Sequence, residues 1–357
     1  MHLSRLGAGI LLTLSLCTAP AWAGKGILPP KSKPTIVSTV PSNGDLNPYG
    51  VTFVPKGFPG GTLQPGDILV SNFNASSNLQ GTGTTIVNVR GSTASLFFQG
   101  TAPLGLTTAL EVLKSGYVIV GNFPSPDGSC TDSTAGSLLI IDSYGNLVDT
   151  IDGAPMINGP WDMTVIDSGN DPLVFVSNAL SGTVYRFDIK ISNGSFTVGH
   201  VTKIAKGYAH QCDPVTFVDG PTGLAYDAQT DALYVASTLD NTVYRVDHAS
   251  KRSNAAAKGD AVYSDPNHLN GPLALVLAPN GHLITANNDN TIPNSPVPPS
   301  EYVEFTKSGQ FVGDFQIDPN AGGSFGLAVR ETDDGKGFFS AVDDNVPNLQ
   351  TFKVKFR

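Results

Sequence analysis

The stretch that decides the fold is Gly220-Pro-Thr-Gly-Leu-Ala-Tyr-Asp-Ala-Gln-Thr-Asp-Ala-Leu-Tyr-Val-Ala-Ser-Thr-Leu-Asp-Asn-Thr-Val-Tyr-Arg-Val-Asp247. It has a fixed grammar. A Gly/Pro-rich start leads into a short apolar strand, and a polar turn follows. A second strand of β-branched and aromatic residues ends at Ser237, and a loop delivers a third strand with alternating pattern. The same grammar recurs. Asn178-Ala-Leu-Ser-Gly-Thr-Val-Tyr-Arg-Phe-Asp188 matches Ser237-Thr-Leu-Asp-Asn-Thr-Val-Tyr-Arg-Val-Asp247, while Asn158-Gly-Pro-Trp161 and Asn270-Gly-Pro-Leu273 match Asp219-Gly-Pro-Thr222. Weaker copies start at Asn47-Pro-Tyr-Gly50, at Leu106 and at Gly323-Ser-Phe-Gly326. The unit therefore repeats six times, every 50 to 60 residues or so.

Four short strands per unit, with no stretch of helical periodicity, predict an all-β, six-bladed β-propeller of four-stranded antiparallel blades. A single blade cannot bury both faces of its sheet; neighbours around an axis do so. The sixth copy stops one strand short, at Thr351-Phe-Lys-Val-Lys-Phe-Arg357. An otherwise unassigned strand, Thr35-Ile-Val-Ser-Thr-Val40, is expected to complete it and close the ring. One domain then spans residues 35–357, with 24–34 as an extended, proline-rich lead-in.

Residues 1–23 read as a secretory signal peptide: Arg5, an apolar run from Leu6 to Leu16, and Ala21-Trp-Ala23 before Gly24. The run is shorter than the ~20 apolar residues that span a bilayer, and no later segment reaches that length. The expected location is secreted or periplasmic. The chain carries a formal charge of −9, and loss of the leader removes Arg5 and no acid, giving −10. An acidic surface without a Lys/Arg cluster argues against nucleic acid and anionic membranes as partners. Two cysteines remain after the leader, Cys130 and Cys212. Both fall in long loops expected on one face, and a disulfide between them is expected in an oxidising compartment.

The pattern in residues 220–247 resembles an NHL repeat. The whole mature chain resembles the six-bladed superfamily that also holds the gluconolactonase/regucalcin-like hydrolases. That resemblance implies a propeller and, for the hydrolases, a divalent metal held near the channel mouth by Glu, Asn and Asp; blade one here begins with Asn47-Pro48 where they carry Glu.

Function is expected on the face where the innermost strands begin, because the longer loops gather there: 72–84, 123–136, 206–220 and 287–300. Asn158, Asp219 and Asn270 precede Gly-Pro at equivalent positions in blades three to five. Their oxygens suit Ca²⁺ or Mg²⁺; the alternative is that they form turns. Tyr49, Trp161 and Phe325 follow in blades one, three and six, either as an aromatic rim for an organic ligand or as packing between blades. His210 and His268 lie on the same face as candidate general bases, whereas His200, His248 and His282 read as surface residues. Asn72, Asn122, Asn178, Asn287, Asp343 and Asp344, near the ends of second strands, read as hydrogen-bonding the turns that follow. No nucleophile elbow, phosphate loop or zinc motif is present. The leading expectation is an exported propeller that binds a small molecule or protein through its top-face loops. A metal-dependent lactone or ester hydrolase is the alternative, and a lyase of the streptogramin-inactivating kind the third reading.

Overall fold

The computed structural model describes residues 25–288, 291, 292 and 294–357; the expected signal peptide lies outside them. Six four-stranded antiparallel sheets follow one another around an axis. Their innermost strands are Leu46–Phe53, Leu106–Val112, Pro160–Ile166, Pro221–Asp227, Pro272–Leu277 and Ser324–Glu331. In blade six the outermost strand is Thr35–Ser38, which pairs antiparallel with Asn348–Lys355, Thr35 opposite Thr351 and Ser38 opposite Asn348. The beginning of the chain thus supplies the strand that its end lacks. Among the described residues no helix is long and apolar enough to cross a membrane.

The recurring Gly/Pro start has a geometric cause. Every innermost strand slips register against its neighbour just inside its beginning, at Pro48/Val51, Leu106/Leu110, Pro160/Met163, Pro221/Leu224, Pro272/Leu275 and Ser324/Leu327. Proline has no N–H to lose where a ladder is interrupted, and the bulge bends the strand around the axis. Two residues after the proline position the next blade's backbone comes close. A Cβ at Gly223 would collide with the Leu273 carbonyl, and one at Gly326 with the Tyr49 carbonyl. Hydroxyls lock blades together at this level: Ser71 Oγ donates to Thr107 O (2.8 Å), Ser177 Oγ to Thr222 O (2.7 Å) and Thr222 Oγ1 to Pro272 O (3.0 Å).

The residues at the ends of second strands are structural: Asp343 Oδ1 accepts from Val346 N in the turn that follows (3.4 Å), while three of the asparagines bond backwards. Asn122, Asn178 and Asn287 each accept from the backbone N–H at the start of their own innermost strand, at Gly105, Asn158 and Asn270 (2.9, 2.9 and 3.1 Å). They pin the connection between blades.

The lead-in is bound to blade five. Ile27 and Leu28 are buried with Leu273, Tyr302 and Phe352. Glu304, fully buried, accepts from both of their N–H groups through Oε2 (2.7 and 2.9 Å). Its Oε1 meets His282 Nδ1 at 2.7 Å and Asn280 Nδ2 at 2.9 Å, and Asn280 also donates to Lys25 O. His282 is therefore a core residue, 2% exposed, and not the surface residue expected from its turn-like context. The missed signal was its partner: an acid in the apolar third strand Glu301–Thr306, which only the fold brings beside it.

The six innermost strands enclose an axial well of about 280 Å³ in the lower half of the ring. Glu111 and Asp162 stand among its lining residues. Asp162 occupies the position that is glycine in blades one, four and six. Its carboxylate accepts from the Met163 and Leu224 N–H groups at 2.8 and 3.0 Å. Burial raises the Asp162 acid well above its ordinary range, and Glu111 adds to the rise. Burial, then the Asp167 charge, pushes Glu111 up to about 8.

Two stability predictions follow from these contacts. Glu304→Ala strands two backbone N–H groups and a buried histidine, and should cost about 3–5 kcal/mol in denaturant unfolding, the penalty for removing one partner of a buried pair. Glu111 keeps its proton in the folded chain at pH values where the unfolded chain has lost it. Its raised value therefore makes stability fall as pH climbs from the ordinary carboxylate range to about 8. Glu111→Gln should remove on the order of 2 kcal/mol of that decline, read from melting curves at about pH 5 and about pH 9.

Candidate functional site on the top face

The connection from blade three to blade four does not simply cross the top of the ring. It folds into a hairpin, Gln211–Asp213 paired with Phe217–Asp219. Asp213 Oδ1 tightens its turn by accepting from Val215 N (2.8 Å) and Thr216 N (2.9 Å). The hairpin drives Phe217 into the channel mouth. There Phe217 meets Phe73 (5.3 Å between ring centroids), Phe123 (5.3 Å) and Trp161 (6.4 Å). Tyr49 stacks on Phe73 at 4.6 Å and on Phe325 at 4.4 Å, and approaches Trp161 at 5.7 Å. These rings form one aromatic plug above the axial well.

Phe217 holds a left-handed φ of 70°. For a non-glycine residue that conformation costs roughly 1–2 kcal/mol. Burying the phenyl ring contributes roughly 2–3 kcal/mol. The hairpin is thus held by a thin margin plus covalent help. Cys212 on the hairpin is joined to Cys130 of the short 3-10 turn Cys130–Asp132, with Cα atoms 5.4 Å apart. The expected disulfide is present, and it ties the blade-two loop to the blade-three connection.

Beside the plug lies a polar pocket of about 250 Å³. Asn47, Tyr49 and Asn74 come from blade one, Asp344 and Phe325 from blade six, and Thr216 from the hairpin. Asn47 sits at a left-handed φ of 59°, which turns its amide towards Asp344. With the amide nitrogen facing the carboxylate, Asn47 donates to both Asp344 oxygens at 3.1 Å and accepts from Asn74 Nδ2 at 3.0 Å. Asn74 is 3% exposed, and its Oδ1 has no protein partner. Burial, then the neighbouring Asp343 charge, pushes Asp344 up to about 7. Burial and the Asp344 charge hold the Tyr49 phenol above its ordinary range. The pocket thus offers a carboxyl group that titrates near neutrality, two amides, a phenol and two stacked rings.

The residues singled out from sequence are distributed as follows. Tyr49 and Phe325 line the pocket together; Trp161, 1% exposed, packs beneath them as part of the plug. Asp219 is buried, with Oδ1 accepting from Thr216 Oγ1 (3.0 Å) and Asn288 Nδ2 (3.4 Å) and Oδ2 from Gln211 Nε2 (3.3 Å). Asn270 Oδ1 accepts from Ile292 N at 3.2 Å. Asn158 is half-buried and presents its backbone to Asn178 and Leu180. As arranged, the Asp219 carboxylate is engaged by N–H and O–H donors, which a cation would have to displace. The Asp344 and Asn47 oxygens are engaged as well, by the Asn47 amide and by Asn74 Nδ2. Among the described residues no three His, Cys, Asp or Glu side chains stand together as a metal cluster. His210 is exposed, its Nδ1 bonded to Tyr208 O (3.0 Å). His268 is bound to Asp265 Oδ2 (2.7 Å) and stacked on Phe311 (3.7 Å). Neither histidine lines the pocket.

No protein-family model matches the chain, and no curated protein does. Solved structures do. A gluconolactonase from Xanthomonas campestris superposes with a TM-score of 0.54 at 14% identity, over 90% of this chain and 95% of that one. The calcium-binding protein regucalcin from Agrobacterium tumefaciens gives 0.51 at 13% identity over the same shares. An α-L-arabinanase from Penicillium chrysogenum, complexed with arabinobiose, gives 0.53 at 12% identity over 91% and 99%. Scores this alike for proteins of different activity carry the architecture and nothing narrower. The chain shares the propeller fold of the gluconolactonase- and regucalcin-type proteins.

Proposed function

We propose that this chain is an exported β-propeller that binds a small, hydroxyl-rich molecule in the top-face pocket between blades one and six. One observation carries the reading. The axial mouth is filled by aromatic rings, whereas the pocket beside it gathers Asn47, Asn74 and Asp344, an acid that titrates near neutrality, against the stacked rings of Tyr49 and Phe325. Polyols and sugar acids bring hydroxyls for such groups and C–H faces for stacked rings such as Tyr49 and Phe325. The arabinobiose complex and the gluconolactonase among proteins of this fold are in keeping with that chemistry. The acidic chain and the disulfide support export to an oxidising compartment.

The second reading is a divalent-metal-dependent hydrolase of a lactone or similar ester at the top of the channel. The gluconolactonase and regucalcin likenesses favour it. Asn47, Asn74 and Asp344 would hold Ca²⁺ or Mg²⁺ through oxygen, and the ion would supply Lewis-acid polarisation of a carbonyl. The sequence-derived set of Asn158, Asp219 and Asn270 is the competing location for such an ion. In either case Tyr49 and Phe325 would orient the organic part of the substrate.

Calorimetric titration with glucose, arabinobiose, gluconate and glucono-lactone tests the first reading. At least one of them should bind, and Asp344→Asn combined with Asn74→Ala should weaken it by about tenfold or more, the loss of one or two buried polar contacts. Failure of the whole panel, or binding indifferent to the double substitution, would defeat the reading. Elemental analysis and lactone turnover with added Ca²⁺ or Mg²⁺ separate the second reading. Metal-dependent turnover abolished by Asp219→Asn and untouched by Asp344→Asn would move the site to blades three to five.

A further inference from the structure

The hairpin in the channel mouth is held firmly at its two ends and lightly between them. Its base is firm on both sides. Before it, Tyr208 is buried and donates its hydroxyl to Lys258 O (2.9 Å); after it, Asp219 is buried in its ring of donors. Between these anchors, Gln211 to Val218 touch the rest of the propeller in few ways. Phe217 and Val218 enter the aromatic cluster, and the Val215 carbonyl accepts from Gln80 Nε2 at 3.4 Å. The remaining tie is covalent, from Cys212 to Cys130. Just before the firm base, Gly207 has a left-handed φ and open space around it.

The two halves of the disulfide are unequal. Cys130 is 5% exposed and packs in the aromatic cluster, whereas Cys212 is exposed. A cavity of about 250 Å³ opens onto the bond, lined by Gly128, Ser129, Asp213 and Pro214 with the two cysteines. The same hairpin lines two spaces at once. Val215 and Thr216 border the polar pocket, Asp213, Pro214 and Phe217 border the cavity at the disulfide, and Phe217 packs into the aromatic plug at the channel mouth. Freeing it would take Phe217 out of that plug.

We propose that the 211–219 hairpin is a disulfide-latched gate on the axial channel, released by dithiol reductants. The inference goes beyond the ligand-binding reading and does not depend on it. In the releasing step a reductant thiolate attacks the exposed Cys212 Sγ. The S–S bond breaks, and Cys130 leaves as a thiolate and takes up a proton. The reductant's second thiol then attacks the mixed disulfide, closing the reductant into its own disulfide and freeing Cys212. Two electrons pass from the dithiol to the protein, and two thiols result. Without the latch, Phe217 is held only by the small excess of ring burial over the cost of its left-handed backbone, so withdrawal of the ring becomes accessible and the plug can lose that member.

Trp161 reports the gate directly. The sequence has two tryptophans, Trp22 and Trp161, so a Trp22→Phe chain leaves one indole, packed against Phe217. Dithiothreitol, with thiol titration confirming two free thiols per chain, should red-shift Trp161 emission and raise acrylamide quenching severalfold, while far-UV circular dichroism keeps its strand signal. The Cys130→Ser/Cys212→Ser chain should show the open signature without reductant and no response to it. Phe217→Ala, with the disulfide intact, should show it as well. Two titrated thiols with Trp161 emission and quenching unchanged would overturn the proposal. So would loss of the strand signal at the same reductant concentration, which would make the bond a staple of the whole ring. The test needs no ligand, so a failure of the pocket reading leaves its outcome unaffected.

Discussion

A four-stranded sheet has two faces and two edges, and water is a poor covering for apolar faces. In this chain each blade covers its neighbour, so the structure is stable only as a complete circle. The contact that completes it lies between Thr35–Ser38 and Asn348–Lys355. The chain reinforces that contact from outside: Ile27 and Leu28 are buried against blades five and six, and Glu304 holds both of their backbone N–H groups. Ring closure is therefore more than a ladder of one short strand. It is a strap of polar and apolar contacts, and His282 is buried because Glu304 needs a second partner.

Closing the circle also dictates what the centre looks like. Bulged inner strands bring neighbouring backbones together at one level, where glycine is required at Gly223 and Gly326. Blade three breaks this rule with Asp162, and that departure places an acid in the axial well. Above that level the mouth is filled by the rings of Tyr49, Phe73, Phe123, Trp161, Phe217 and Phe325. The plug stands between two spaces of differing lining: a well bearing Glu111 and Asp162 below, and a polar pocket beside the plug above.

Much of this was written in local sequence. The repeat in 220–247 announces blades, turns and strand order, because backbone geometry at Gly-Pro and at alternating strands is a local matter. Cys130 and Cys212 could be paired because both loops leave the same face. The candidate site was less legible. Tyr49 and Phe325 were found, since they fall at a repeat position, but Asn47 and Asp344, almost 300 residues apart, meet only because the ring closes. Asp344 carried the same appearance as the structural Asn and Asp residues at the ends of other second strands. The hairpin was missed because residues 206–220 lie outside the repeat, and nothing local marks Phe217 as a residue that would adopt a left-handed backbone. Asp162 had a readable signal, an acid where the repeat keeps glycine, whose meaning appears only once the axis is in place.

The strap has a consequence for the order of events during synthesis. A polypeptide emerges with its first residues leading, so the strand at 35–38 and the anchors at Ile27 and Leu28 are made long before Glu304 and the strand at 348–355 exist. For most of translation the leading segment has nowhere to bind. Blades one to five can form in sequence, each on the last, but the circle shuts only after release of the tail. The leading segment thus works as a clasp that fastens last, and an incomplete chain has no way to fasten it.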